Sequence, residues 1–360
     1  MNLASDNTTG ICPEILEAIK KANKGSATSY GADSITENLT RNFSELFECD
    51  LQIFPVSTGS AANAIALSTF TQPWGAIYCH KLSHIDMDEC GGPEFYTGGA
   101  KLITSDGTDA KILTDEFKKQ IESMDIGDVH MVQPSILSLT QITEAGTAYS
   151  VEEVKSLCDA VRSVTDEKGK KMFVHMDGAR FANAVAYLDK TPAEITWKSG
   201  VDMLSFGATK NGAMAAEAII AFKPSLSNPL YYQGILKDEL PFRRKRGGHL
   251  ISKMRFLSAQ LDAYITDDLW LKNARHANAM AKKLYEGIKN VKGMSFPYSI
   301  NGNIIIVDAV EELKDKIEHK GLKFSHRKFF NKDLIRFVTS FDTPEKTIDW
   351  AIDLIKECDR

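Results

Sequence analysis

The sequence predicts an α/β protein: a large domain with a mostly parallel sheet flanked by helices, followed by a smaller C-terminal α+β domain. Three observations carry this. Short β-rich apolar runs alternate with helical stretches as far as Lys223. A stretch punctuated by Pro224, Pro229 and Pro241 then breaks the alternation. Beyond it come two long helical runs, isolated strands and a closing helix. At 360 residues the chain has room for about two domains. The expected division places an N-terminal arm and the large domain in 1–248 and the small domain in 249–360.

The expected buried strands are Ile53–Val56, Ala76–Cys79, Lys101–Thr104, Val129–Val132, Met172–Met176, Val201–Phe206 and Ala218–Phe222. The clearest helix between them is Val151–Lys168, where Ser150 caps and Glu153 completes a capping box. Past the proline stretch, helical runs cover His249–Tyr264 and Trp270–Lys289. Strands at Asn303–Asp308 and Leu334–Thr339 and a helix at Pro344–Glu357 complete the chain. No internal repeat or polar linker separates the halves.

Composition removes several function classes. Apolar residues are 43 % and charged residues 25 %, ordinary for a globular protein. Lys+Arg number 43 against 48 Asp+Glu, a net charge of −5, and the one basic run, Arg243–Arg246, is short. That argues against a nucleic-acid partner. No 18-residue apolar window suggests a membrane span, and Met1–Asp6 lacks the basic-then-apolar pattern of a signal peptide. The six cysteines, at 12, 49, 79, 90, 158 and 358, form no CxxC pair. They are expected to be free thiols in a cytoplasmic protein.

Four segments could carry chemistry. Lys210 is the only charge between Asp202 and Glu217, among small residues just after an expected strand. Burial there would lower its pKa, as a Schiff-base lysine needs; a loop lysine reaching water is the plain alternative. Asp177 ends an apolar strand, where ligands of open α/β sheets bind, and could face a cationic ring nitrogen or simply cap the next turn. Ser57–Asn63 places small residues at a strand–helix junction, a phosphate cup in principle, though a capped helix start looks the same. His80 and His84 could be a metal pair, or His84 could lie flat against a planar ligand.

Taken together, an anion cup, a ring stacker, a strand-end Asp and a buried Lys follow one another on successive strand ends. That order resembles fold-type-I pyridoxal-phosphate enzymes. The motifs Ala4-Ser5-Asp6-Asn7, Tyr30-Gly31-Ala32-Asp33, His175–Ala184, Ser205–Gly212, Arg275-His276-Ala277-Asn278 and Leu334–Ser340 resemble the threonine aldolase branch of the β-eliminating lyases. Within that branch they are similar to the low-specificity L-threonine or phenylserine aldolase group.

The resemblance implies roles position by position. Lys210 would carry pyridoxal 5′-phosphate as a Schiff base, Asp177 would meet its pyridine nitrogen, and His84 would stack on the ring and take part in catalysis. Gly59 and Ser60 would hold the phosphate, with Arg244 or Arg246 donated by a neighbouring subunit. Ser5, Arg180 and Arg336 would grip the substrate carboxylate, Arg180 also lying beside the cofactor. Tyr30 would line the site across a dimer interface of a homotetramer. The implied reaction is retro-aldol cleavage of L-threonine, L-allo-threonine and related β-hydroxy-α-amino acids to glycine and an aldehyde.

One departure stands out. Many threonine aldolases carry Glu-Asn-Thr-His-Asn in a central strand–loop, and the matching place here, read as Val132–Leu137, has no histidine. His84 or an ordered water is left as the base. Two rivals remain: a β-eliminating lyase or aminotransferase using the same cofactor, and a metal-dependent hydrolase built on His80, His84 and Asp86 or Asp88.

Overall fold

A computed structural model describes residues 2–164, 172–225, 238–329 and 332–359. Seven strands, β1 (Leu51–Val56), β2 (Gly75–His80), β3 (Lys101–Ser105), β4 (Gln133–Thr140), β5 (Phe173–Gly178), β6 (Met203–Gly207) and β7 (Glu217–Phe222), form the large sheet. Their spatial order is β1-β7-β6-β5-β4-β2-β3. Only β7 runs against its neighbours β1 and β6; the remaining pairings are parallel. Six carboxyl ends therefore open on one side. Strands β2, β6 and β7 are buried along their whole length, as sheets covered on both faces require.

The helix Gly59–Phe70 follows β1 and is buried from Ala61 to its end. Its residues are small or apolar on every side, which suits a helix enclosed in protein rather than one facing water. The helix Val151–Ser163 has the expected capping box between Ser150 and Glu153. The expected continuation through 165–168 lies outside the described residues.

The small sheet comprises β8 (Met294–Ser295), β9 (Ile304–Ala309), β10 (Ser325–Phe329) and β11 (Lys332–Val338), antiparallel in the order β10-β11-β9-β8. Strand β10 escaped the sequence reading because it is an edge strand whose polar residues alternate with partly buried ones. The expected strand Val129–Val132 is corrected: Val129 is 93 % exposed, and β4 begins only at Gln133. Pro134 does not end β4, because the register with β2 slips beside it, between Ala76 and Ile77.

Apolar cores span the expected division at 248/249. Leu257, Leu261, Tyr264 and Trp270 join Phe43, Phe47 and Phe206 under the large sheet. Leu3, conversely, packs with Ile305, Val307 and Phe337 under the small one. Backbone hydrogen bonds from Leu3 N to Lys323 O and from Val338 N to Leu3 O, both 2.8 Å, stitch the arm to that sheet. We keep 1–248 and 249–360 as a proposal for the two folding units. The cysteines of 12, 49, 79, 90, 158 and 358 are free thiols, and no helix among the described residues is long and apolar enough to cross a membrane.

Close approach of strand ends makes one glycine indispensable. A Cβ on Gly207, the last residue of β6, would stand 2.5 Å from the carbonyl oxygen of Ala179 beyond β5. Gly207→Ala should therefore cost about 1–3 kcal/mol, the range for overpacking. A urea midpoint equal to that of the parent protein would contradict it.

Candidate active site

The strand ends collect the charged residues. On β5, His175 and Asp177 share one face because side chains alternate along a strand. Asp177 is 3 % exposed. Its Oδ2 accepts from Asn63 Nδ2 at 2.9 Å and its Oδ1 from the Ala179 N–H at 3.0 Å. Below it, His175 bridges Ser138 Oγ and Ser205 Oγ, each at 2.9 Å, and burial pushes its pKa down to about 4. The imidazole under Asp177 is therefore neutral near pH 7.

His84 stands at the mouth of β2. Its Nδ1 meets Glu89 Oε1 at 2.8 Å, and Asn63 Nδ2 donates to the same oxygen at 2.9 Å. Burial opposes a protonated imidazole, but the Glu89 hydrogen bond and the field of Asp177 outweigh it, so the His84 pKa is raised. Burial likewise raises Glu89.

Lys210 lies in the turn Thr209–Asn211 after β6 and is partly buried. It forms no ion pair within 4.0 Å among the described residues. The turn is fixed from beneath. Glu217 Oε2 accepts from Ala208 N at 3.2 Å, and Asn211 Nδ2 donates to Tyr264 Oη at 2.7 Å and Trp270 O at 2.8 Å. Burial pushes Glu217 up to about 7.

Two arginines meet here on different terms. Arg180 grips Asp6 bidentately, Nε to Oδ2 at 2.7 Å and Nη2 to Oδ1 at 2.9 Å, both side chains being buried. Asn303 Nδ2 adds a third bond to Asp6 at 3.0 Å. Burial raises the Asp6 carboxyl, but Arg180 overrides this and holds it below the usual range. Arg336, on β11 and 5 % exposed, leaves its Nε unpartnered. Burial, with Arg180's like charge, pushes its guanidinium down to about 10.

Glu144 joins them from the loop after β4. It is buried, and although burial raises a carboxyl, the fields of Arg180, Lys210, Arg336 and His84 bring it down to about 2. These four, with Asp177 acting on His84, thus lie in one shared electrostatic field. All but the first residue of the stretch expected at 132–137 lies inside β4, because the strand runs on to Thr140; the loop at its mouth is 141–144. Sequence reasoning passed over Glu144, although it is the sole Asp, Glu, Lys or Arg between Asp128 and Glu152. Asp6, Asn63, Glu89 and Asn303 were passed over too, since nothing local marks a distant partner.

The helix after β1 starts at Gly59, with Thr58 Oγ1 capping the Ala61 N–H. The first two amides, of Gly59 and Ser60, are thereby left to face an anion. Arg244 lies near: its Nη1 reaches Pro55 O at 3.4 Å, its guanidinium stacks over Phe54, and its buried Nε is unpartnered. Ser5 caps the turn containing Asp6. Tyr30 is half exposed beneath Lys245, and Arg246 is exposed; no contact recorded among the described residues brings either to the pocket. His80 turns away from His84 and accepts from Leu82 N through Nδ1. No three His, Cys, Asp or Glu side chains among the described residues converge as metal ligands.

The chain is a lyase of the β-eliminating lyase family, whose pattern it matches over residues 2–310. It is 38 % identical to a low specificity L-threonine aldolase of Pseudomonas sp. strain NCIMB 10558, over 96 % of this chain and 94 % of that one. The enzyme of the same description from Pseudomonas aeruginosa is also 38 % identical, covering 94 % and 92 %. Among solved structures, a threonine aldolase from Leishmania major superposes with a TM-score of 0.87 at 26 % identity, covering 100 % of this chain and 99 % of that one. Serine palmitoyltransferase from Sphingomonas wittichii shares the fold, with a TM-score of 0.71 at 12 % identity over 99 % and 86 %.

The Asp6–Arg180 pair yields a stability prediction. Asp6→Asn keeps the shape but leaves the buried Arg180 charge without its counter-ion. Breaking a buried pair typically costs about 3–5 kcal/mol. Chemical denaturation at neutral pH should show a loss of that size, and a loss no larger than that of a surface Asp→Asn control would contradict it.

Proposed function

We propose that the chain is a pyridoxal-phosphate-dependent lyase that cleaves L-threonine, L-allo-threonine and related β-hydroxy-α-amino acids to glycine and an aldehyde. The observation that carries this reading is that Lys210, without an ion pair among the described residues, and Arg336, buried with its Nε unpartnered among them, both act on the buried Glu144. In this reading Lys210 would serve the nitrogen side of an amino acid and Arg336 its carboxylate.

The donor set fits the cofactor. Lys210 would bind its aldehyde carbon, Asp177 would face the pyridine nitrogen, and His84 would lie against the ring. The Gly59 and Ser60 amides, with Arg244 or Arg246, would take the phosphate. Bound there, pyridoxal phosphate supplies an electron sink for the pair left on Cα when Cα–Cβ breaks. Asn63 and the Ala179 amide hold the Asp177 carboxylate in place, and an ionised Asp177 favours a protonated ring nitrogen. Neutral His175 beneath it adds no competing charge.

Arg336 would take the substrate carboxylate, helped by Ser5 and by the Nη1 edge of Arg180 that Asp6 leaves free. Planar bidentate geometry suits that task better than an ammonium, and it sets which bond at Cα stands across the ring. Tyr30 would complete the site from a neighbouring subunit. We take the protein to be cytoplasmic and a homotetramer built as a dimer of dimers; exposed apolar side chains support the association. Phe95 (82 %) and Phe242 (71 %) lie on helices that adjoin through Tyr96 and Gly247.

Two variants test the reading. Lys210→Ala should lose the cofactor's visible absorbance maximum and borohydride labelling, and release no acetaldehyde from L-threonine. Turnover in that variant would remove the lysine from the chemistry. Arg336→Lys keeps the charge and loses the fork, so KM for L-threonine should rise by on the order of tenfold or more with cofactor absorbance unchanged. A destabilised protein with the parent's KM would instead make Arg336 structural.

A further inference from the structure

Two buried charges of opposite sign, each in the other's field, lack close partners among the described residues. One is Arg336. The other is Glu144, 5 % exposed, whose nearest cation among the described residues is Arg327 Nη2, at 3.8 Å. Arg327 itself is committed elsewhere, to both oxygens of Asp88 at 3.0 and 3.2 Å. No hydrogen-bond donor is recorded against the Glu144 carboxylate among the described residues, although it faces Arg180, Lys210, Arg336 and His84. A buried acceptor of this kind is costly unless a donor arrives with the ligand.

We propose that Glu144 receives the substrate's β-hydroxyl, and so selects β-hydroxylated amino acids over those without the group. The inference rests on the aldolase reading above. In that reading the α-carboxylate goes to Arg336 and the nitrogen to the cofactor on Lys210. The β-hydroxyl is then the one substrate donor left, and Glu144 the acceptor left for it. A carboxylate held as acidic as this one accepts a hydrogen bond and keeps a transferred proton poorly. Its role is to orient the O–H, which sets the rotation about Cα–Cβ.

The far side of Glu144 supports that orientation. A cavity of about 10 Å³ lies between it, His80, Ser83 and Thr140, enough for about one water. His80 Nε2 and Ser83 Oγ are both buried there without a hydrogen-bond partner of good geometry among the described residues. A single water would satisfy them and brace the carboxylate from behind. This gives His80 a place that its earlier reading as a metal ligand did not.

The test compares two reactions of the holoenzyme. Cleavage of L-threonine, read as acetaldehyde, needs the hydroxyl; exchange of the glycine α-proton in D₂O, read by NMR, does not. In Glu144→Ala the ratio of cleavage to exchange should fall by on the order of a hundredfold or more. Glu144→Gln, which retains an amide oxygen, should fall less. Parallel loss of both reactions, or an unchanged ratio in the Ala variant, overturns the proposal. Where the Ala variant fails to keep cofactor absorbance, the near-isosteric Gln variant decides, and an unchanged ratio there overturns it. Failure of the aldolase reading shows separately, as unmodified enzyme that exchanges glycine but releases no aldehyde from threonine.

Discussion

The buried pair of Asp6 and Arg180 is the interaction on which the site depends. It ties together three parts of the chain that are far apart in sequence: the N-terminal arm, the turn after β5, and, through Asn303, the start of β9 in the small sheet. Two desolvated charges are tolerable only when bidentate contact and further hydrogen bonds satisfy them, and here both conditions hold. With Arg180 occupied in this way, the second buried guanidinium, Arg336, has no anion of its own at hydrogen-bond distance among the described residues. Its need for a counter-ion follows from the first pair's completeness.

The rest of the pocket is organised by separating charges of like function. Around His84 the carboxylates of Glu89 and Asp177 are joined by one amide, Asn63 Nδ2, so that a single side chain sets the spacing of both. Opposite them lie Arg180, Arg336 and Lys210, with Asp6 and Glu144 interleaved. Such alternation keeps several charges buried at once, because each lies in the field of its opposite. It also favours the protonated form of His84 and the ionised form of Glu144, each lying in the field of the other.

Loop geometry after β4 carries the sharpest difference from the sequence reading. The apolar run Val129–Val132 was the expected strand, and the resemblance put the site segment at 132–137. The true strand starts later and ends at Thr140, since the slip of register beside Pro134 removes the penalty for its missing N–H. The shift moves the strand mouth to Glu144. A residue of that kind is invisible to periodicity, because its importance lies in what surrounds it rather than in its neighbours along the chain.

What the sequence by itself determined is local. Alternating apolar runs and capped helices specify a mostly parallel sheet with helices on it, and a lysine or aspartate just past an apolar run must lie at a strand end. Lys210 and Asp177 were legible for that reason, as was the free helix start at Gly59 and Ser60. Tertiary structure alone decided which charges meet. Asp6 and Arg180 are joined over 174 residues of chain, and Asn63 and Asp177 over 114. The edge strand β10 belongs to the same class, since its place depends on pairing with β11 more than on its own mixed polarity. The physical reason is common to all of them: a buried charge is stabilised by whatever lies within a few ångströms, and only the packed fold sets that distance.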